Sequence, residues 1–298
     1  MKSRTSLTAI NLFLVLALAI SVLTGCSGSK NKIDTSKPPV LPPQSTFVMD
    51  FNDFTQNGNP VTSSQLSPSL FVSQSPSSIS DSNGVYLLGD RSNWLFAALN
   101  VGFWNLAGVF GLAVPAASIV ESVKQTPVKQ SDNSWVWTFS ITVQGVTYTA
   151  ELHGKYISSG IRWDMFITKD NEYTDFLWYY GECNSNGTQG YWVLKEKPSK
   201  PDDLLRIDWH RNTVDETGDI KYTNIVSGGS ENGGYISFTV SKNEPYNRAY
   251  VIFNKGQNET TSIEWNSSTK AGRVKDSVSF KDTDWHYWDS NLKNTTAS

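Results

Sequence analysis

The chain has 298 residues, 12% of them aromatic (11 Trp, 12 Tyr and 14 Phe) and 18% charged, with a formal net charge of −3. Aromatic content at that level excludes intrinsic disorder for the body and favours β structure. With no basic excess, the electrostatic footprint of a nucleic-acid binder is excluded as well.

Lys2 and Arg4 precede an apolar stretch from Leu12 to Leu23, twelve residues long, which is the length of a secretory h-region and too short to span a bilayer permanently. Residues 1–25 therefore read as a signal peptide. The motif that follows, Leu23-Thr24-Gly25-Cys26, resembles the lipobox of bacterial lipoproteins. That resemblance implies cleavage before Cys26, acyl chains on its thiol, and a membrane partner reached through those chains. Ser27 follows the cysteine rather than Asp, which in Gram-negative lipoproteins resembles the default for the outer membrane. With Cys26 lipidated, Cys183 has no partner, so disulfide scaffolds and cysteine zinc sites fall away. Residues 26–45 are rich in Ser, Gly, Lys and Pro and read as a tether in extended polyproline form.

The folded domain is expected over residues 46–298. Thr46 to Phe54 alternates apolar and polar residues and predicts a first strand; a Ser, Pro and Asn rich stretch from Asn57 to Asn83 precedes a short strand at Val85 to Leu88. Between Ser92 and Val120 no residue is charged. A period near 3.6 places Leu95, Leu99, Leu106, Phe110 and Ala113 on one face and Asn93, Asn100, Trp104 and Gly108 on the other, so a helical segment is predicted over about 92–125. Pro115 is expected to end or kink it, with a second helical stretch from Ala116 to Lys124. A transmembrane hairpin is long enough on paper, but Asn93, Asn100, Asn105 and Pro115 argue for a helix buried against a sheet. A lid over an apolar cavity is a special case of that arrangement, with Leu99, Phe103, Leu106 and Phe110 as its ligand-facing candidates.

From Trp135 onward, strands succeed one another every 12 to 15 residues or so, beginning near Ile161, Phe176, Gly190, Leu204, Ile220, Gly234, Arg248, Thr261, Arg273 and Trp285. Turns are expected at Gln144-Gly145, Ser185-Asn186-Gly187-Thr188, Thr217-Gly218-Asp219, Asn254-Lys255-Gly256 and Ala271-Gly272. The fold class is mainly β: an antiparallel meander of ten or more strands forming a barrel or half-barrel around the helical segment. Arg162, Asp164, Arg206, Asp208 and His210 at alternate positions suit a surface facing water rather than the lipid face of a membrane barrel.

Chemistry is sparse. His153, His210 and His286 show no metal spacing, and no nucleophile elbow, phosphate loop, zincin or calcium-loop motif occurs. No cofactor is implied. Asp164, Glu182, Asp208 and Glu264 supply carboxylates for a glycan hydrolase, without a spacing that singles out a pair. Tyr179, Tyr191, Tyr235 and Tyr287 alternate with Trp178, Trp192, Ile236 and Trp288, so aromatics on an outer face are candidates for stacking on sugars. The leading expectation is a lipid-anchored envelope module that is not an enzyme and that binds a lipid or another hydrophobic small molecule; a carbohydrate binder is second and a glycan hydrolase third.

Overall fold

A computed structural model describes residues 34–56, 59–60 and 90–297, leaving the side chains of 55–60 and 103–111 outside the description. Cys26, the lipobox and the predicted strand at Val85 to Leu88 lie outside the described residues. The compact body begins at Pro38. Pro39 and Pro42, assigned to the tether from sequence, are buried; the proline run packs onto the sheet instead of projecting from it.

Residues 44–54 form a strap rather than a strand. Two 3-10 turns, Gln44–Thr46 and Asn52–Phe54, bracket it. The alternation seen in sequence does govern burial, since Phe47 and Met49 are 0% and 2% exposed. Its backbone groups, however, are met by tyrosines. The Met49 amide donates to the Tyr222 hydroxyl at 2.8 Å, that hydroxyl donates to the Phe47 carbonyl at 2.8 Å, and the Tyr250 hydroxyl donates to the Asp50 carbonyl. A two-residue hairpin follows, β1 (Thr55–Gln56) paired with β2 (Asn59–Pro60).

Helix α1 runs unbroken over Ser92–Ser122. Pro115 neither ends it nor divides it in two. The Ser118 hydroxyl donates to the Pro115 carbonyl at 2.7 Å, and packing on both sides overrides the proline's local cost. Nor does the first part of the helix show a single apolar stripe: residues 93–99 are all buried, and the Asn93 amide is accommodated by donating to the Tyr287 carbonyl at 2.9 Å. No helix among the described residues is long and apolar enough to cross a membrane.

The remaining chain builds one sheet of fourteen antiparallel strands in sequence order. They are β3 (Val128–Lys129), β4 (Trp135–Val143), β5 (Val146–Ile157), β6 (Gly160–Lys169), β7 (Tyr173–Cys183), β8 (Gln189–Lys197) and β9 (Lys200–Asn212), then β10 (Thr217–Asn224), β11 (Tyr235–Val240), β12 (Arg248–Asn254), β13 (Glu259–Trp265), β14 (Gly272–Asp276), β15 (His286–Trp288) and β16 (Asn294–Thr295). Every strand start expected from sequence in this region is found to within a few residues. The sheet does not close on itself; it is an open half-barrel. Its concave face receives α1 and the strap, with α1 touching β14, β15 and β16 at one edge and β4 at the other. β3 pairs with β4 only at Trp135 and Val136, and α1 packs against β4 as well.

Turn positions were legible where the backbone needs a positive φ. Gln144 and Gly145 have φ of 51° and 79°, as a two-residue hairpin loop requires. Of the glycines read as turn residues, Gly218 sits inside β10 and Gly272 is the first residue of β14. Gly272 belongs to a set of glycines on the concave face, each lying under an indole of the neighbouring strand. A Cβ at Gly154 would stand 2.6 Å from the Trp163 ring, at Gly181 2.6 Å from Trp192, at Gly190 2.7 Å from Trp209, and at Gly272 2.4 Å from Trp288. In register these glycines face Trp163, Trp192, Trp209 and Trp288 directly. The missing side chains let the four large rings lie flat on the sheet, a cross-strand pairing that pins register.

Candidate functional site

Strap and helix leave a groove between them. About 530 Å³ in volume, it is lined by Val48, Met49 and Phe51 of the strap, Leu112, Ala113 and Ala116 of α1, and Tyr222 of β10 at its floor. Volumes of this size are those of small-molecule sites. Tyr222 is the polar group at the floor, and both its hydrogen-bonding roles are committed to Phe47 and Met49; burial pushes its phenol pKa up. Gln44, Ser45, Asp50 and Asn52 complete the lining, so the surface offered is mainly, not wholly, apolar. Of the ligand-facing residues named from sequence, Leu99 is 7% exposed and belongs to the core without lining the groove. Phe103, Leu106 and Phe110 lie on α1 where side chains are outside the described residues. Met49, Phe51 and Leu112 were missed as ligand-facing candidates because strap and helix meet only in three dimensions.

The convex face carries the charged and tyrosyl residues. Tyr191, Tyr235 and Tyr287 point outward as expected, but Tyr179 does not. Register pairs it with Leu194 on the concave face, where it is fully buried with its hydroxyl 3.0 Å from Ser118 Oγ, and burial drives its phenol pKa far up. Outward rings are covered by the protein's own cations. Arg206 lies 4.1 Å over Tyr191, Lys221 3.9 Å over Tyr235, and Arg162 4.6 Å over Tyr180. Ring faces engaged in this way are not free to stack on sugars.

The four carboxylates considered for hydrolysis are each tied to an arginine. Arg162 contacts Asp164 at 2.7 Å and Glu182 at 3.6 Å, Arg206 contacts Asp208 at 2.6 Å, and Arg273 contacts Glu264 at 2.6 Å. Each histidine has a carboxylate of its own: His153 with Glu151 at 3.3 Å, His210 with Asp219 at 3.6 Å, and His286 with Asp282 at 3.0 Å. Among the described residues no three histidine, cysteine or acidic side chains converge as metal ligands would. Cys183 is buried, accepts a hydrogen bond from Trp163 Nε1 at 3.4 Å, and has its thiol pKa raised by burial, the opposite of an activated nucleophile.

One ionisable pair stands apart. Asp276, 2% exposed, accepts from Thr261 Oγ1 at 2.6 Å and from the Ser279 amide at 2.8 Å. Glu259 faces the same carboxylate, and its Oε1 is buried; its pKa is pushed up to about 8, first by desolvation and then by its interaction with Asp276. No protein-family model, curated protein or solved structure matches the chain.

Proposed function

We propose that the protein is a lipid-anchored module of the bacterial cell envelope, most simply at the outer membrane, that holds an acyl chain or a comparable hydrophobic ligand and carries out no chemistry on it. The observation behind this reading is the apolar groove between strap and α1. The buried Tyr222 hydroxyl is already paired and most of the lining is apolar, so a ligand there would be selected chiefly by shape and apolarity. The lipobox-like segment supplies the membrane address, and an acyl-binding body tethered to a membrane surface is a coherent arrangement. The convex face favours the carbohydrate reading less, because Tyr180, Tyr191 and Tyr235 each carry one of the protein's own cations over the ring.

The test is saturable binding of a fluorescent fatty acid, together with native mass spectrometry of protein prepared without detergent. Ala113→Trp fills the groove and should weaken fatty-acid binding about tenfold or more while leaving the melting temperature close to that of the parent protein. Undiminished binding in that variant, or no saturable binding by the parent, would overturn the proposal.

A further inference from the structure

We infer that a second cavity, walled by tryptophans near the C-terminal edge of the sheet, is a binding site for an alkylammonium group. It measures about 230 Å³ and is lined by Phe54 of the strap, Trp94 of α1, Trp265 at the end of β13 and Trp288 of β15, with Asp53 and Lys270 beside them. The three indoles are 4%, 2% and 2% exposed. They are also held in place: Trp265 Nε1 donates to Asp53 Oδ2 at 2.9 Å, and Trp288 Nε1 donates to the Lys270 carbonyl at 2.7 Å. Phe54 packs edge-on against both rings, with centroids 4.9 and 6.4 Å away.

With two of the indole N–H groups consumed in orienting their rings, the lining presents aromatic surface beside the Asp53 carboxylate and the Lys270 ammonium paired with it. Aromatic faces carry partial negative charge. An anion would meet that charge and Asp53 together, and a sugar would find few free donors. A purely apolar ligand would leave the carboxylate without a role. A weakly hydrated organic cation satisfies both the rings and the carboxylate, and tryptophan is the best partner for one. The chain's own cation is already beside the cavity: Lys270 Nζ stands 2.6 Å from Asp53 Oδ1. That pair is partly exposed, with side chains 47% and 28% accessible, so water screens it and a ligand can displace the lysine at little cost. A primary ammonium is strongly hydrated; a quaternary one is the better match to the rings. Asn52 borders both this cavity and the acyl groove, but the inference does not rest on the groove.

The experiment titrates the intact protein with choline and with its uncharged tert-butyl isostere at constant ionic strength, following tryptophan fluorescence and heat. Choline should bind saturably, and the isostere about tenfold more weakly or worse. Asp53→Asn, which can still accept from Trp265, should weaken choline about tenfold and leave the isostere unchanged. Lys270→Gln frees the carboxylate and should tighten choline several-fold. The inference is overturned by equal affinity for choline and its isostere, by choline binding indifferent to both substitutions, or by no saturable binding in a protein whose melting curve shows it folded.

Discussion

The pair Glu259 and Asp276 makes a quantitative demand on stability. In the folded protein the Glu259 pKa rises from the ordinary 4.5 to about 8, whereas the unfolded chain keeps the ordinary value. Below pH 4.5 both states hold the proton and the residue is neutral in its effect. Between 4.5 and 8 the folded state binds a proton that the unfolded state has lost, so stability falls as pH rises through that window and levels off above it. At about 1.36 kcal/mol per unit, the ceiling is about 5 kcal/mol. Glu259 is only partly buried, and screening by solvent brings the expected loss down to about 2 kcal/mol.

Glu259→Gln removes the titration while keeping a donor for Asp276. The variant should melt with the parent near pH 4.5 and above it at pH 8, by about 4 to 8 °C for a body of this size. Thermal melts from pH 4.5 to 8.5 provide the assay. Parallel melting curves for parent and variant across that range would refute the assignment of a neutral Glu259.

Other perturbations follow from the packing. Tyr222→Phe leaves the Phe47 carbonyl and the Met49 amide without their partner, and should cost about 1 to 3 kcal/mol, read as a lower denaturation midpoint with an unchanged m-value. Gly181→Ala places a Cβ 2.2 Å from the Tyr191 carbonyl and 2.6 Å from the Trp192 ring, so it should destabilise by about 3 kcal/mol or prevent folding; Gly145→Ala, with nothing within 4 Å but a φ of 79°, should cost only about 1 kcal/mol. Cys26→Ala should abolish incorporation of radiolabelled palmitate and shift the protein out of the membrane fraction or leave its signal uncleaved; unchanged fractionation without label would refute the anchor.

The sheet was legible because its longer strands alternate with period two, and a one-residue slip would turn every inward Trp to water; the two-residue β3 and β16 are too short to show it. What sequence could not supply is who occupies the concave face. Thr46 to Phe54 alternates like a strand, yet its backbone finds tyrosine hydroxyls rather than a neighbouring strand, and alternation records only that one side is buried. Gly218 and Gly272 look like turn residues because glycine serves two ends: it permits positive φ, and it makes room for a ring. Only the register with Trp288 shows that Gly272 serves the second. Pro115 reads as a break because the local rule is strong, and it fails where a helix is enclosed by sheet and strap.

The candidate sites were less legible than the fold for a related reason. The residues lining the two cavities come from the strap, from α1 and from the sheet and the loops beside it, as far apart in the chain as Asn52 and Leu292, and no local spacing relates Asp53 to Trp265 or Met49 to Tyr222. An open half-barrel of this width curves too gently for its inward side chains to meet across the middle. Its interior must therefore be filled by something other than the sheet, here one helix and one extended strap. Here the two inserts, unlike in shape, leave gaps between them and the sheet. The cavities lie along the strap, one where it faces the small residues Ala113 and Ala116 of α1 and one where it meets the indoles. In this architecture the candidate sites arise from the way the interior is filled, and substitutions that alter the strap should alter these cavities before they alter the sheet.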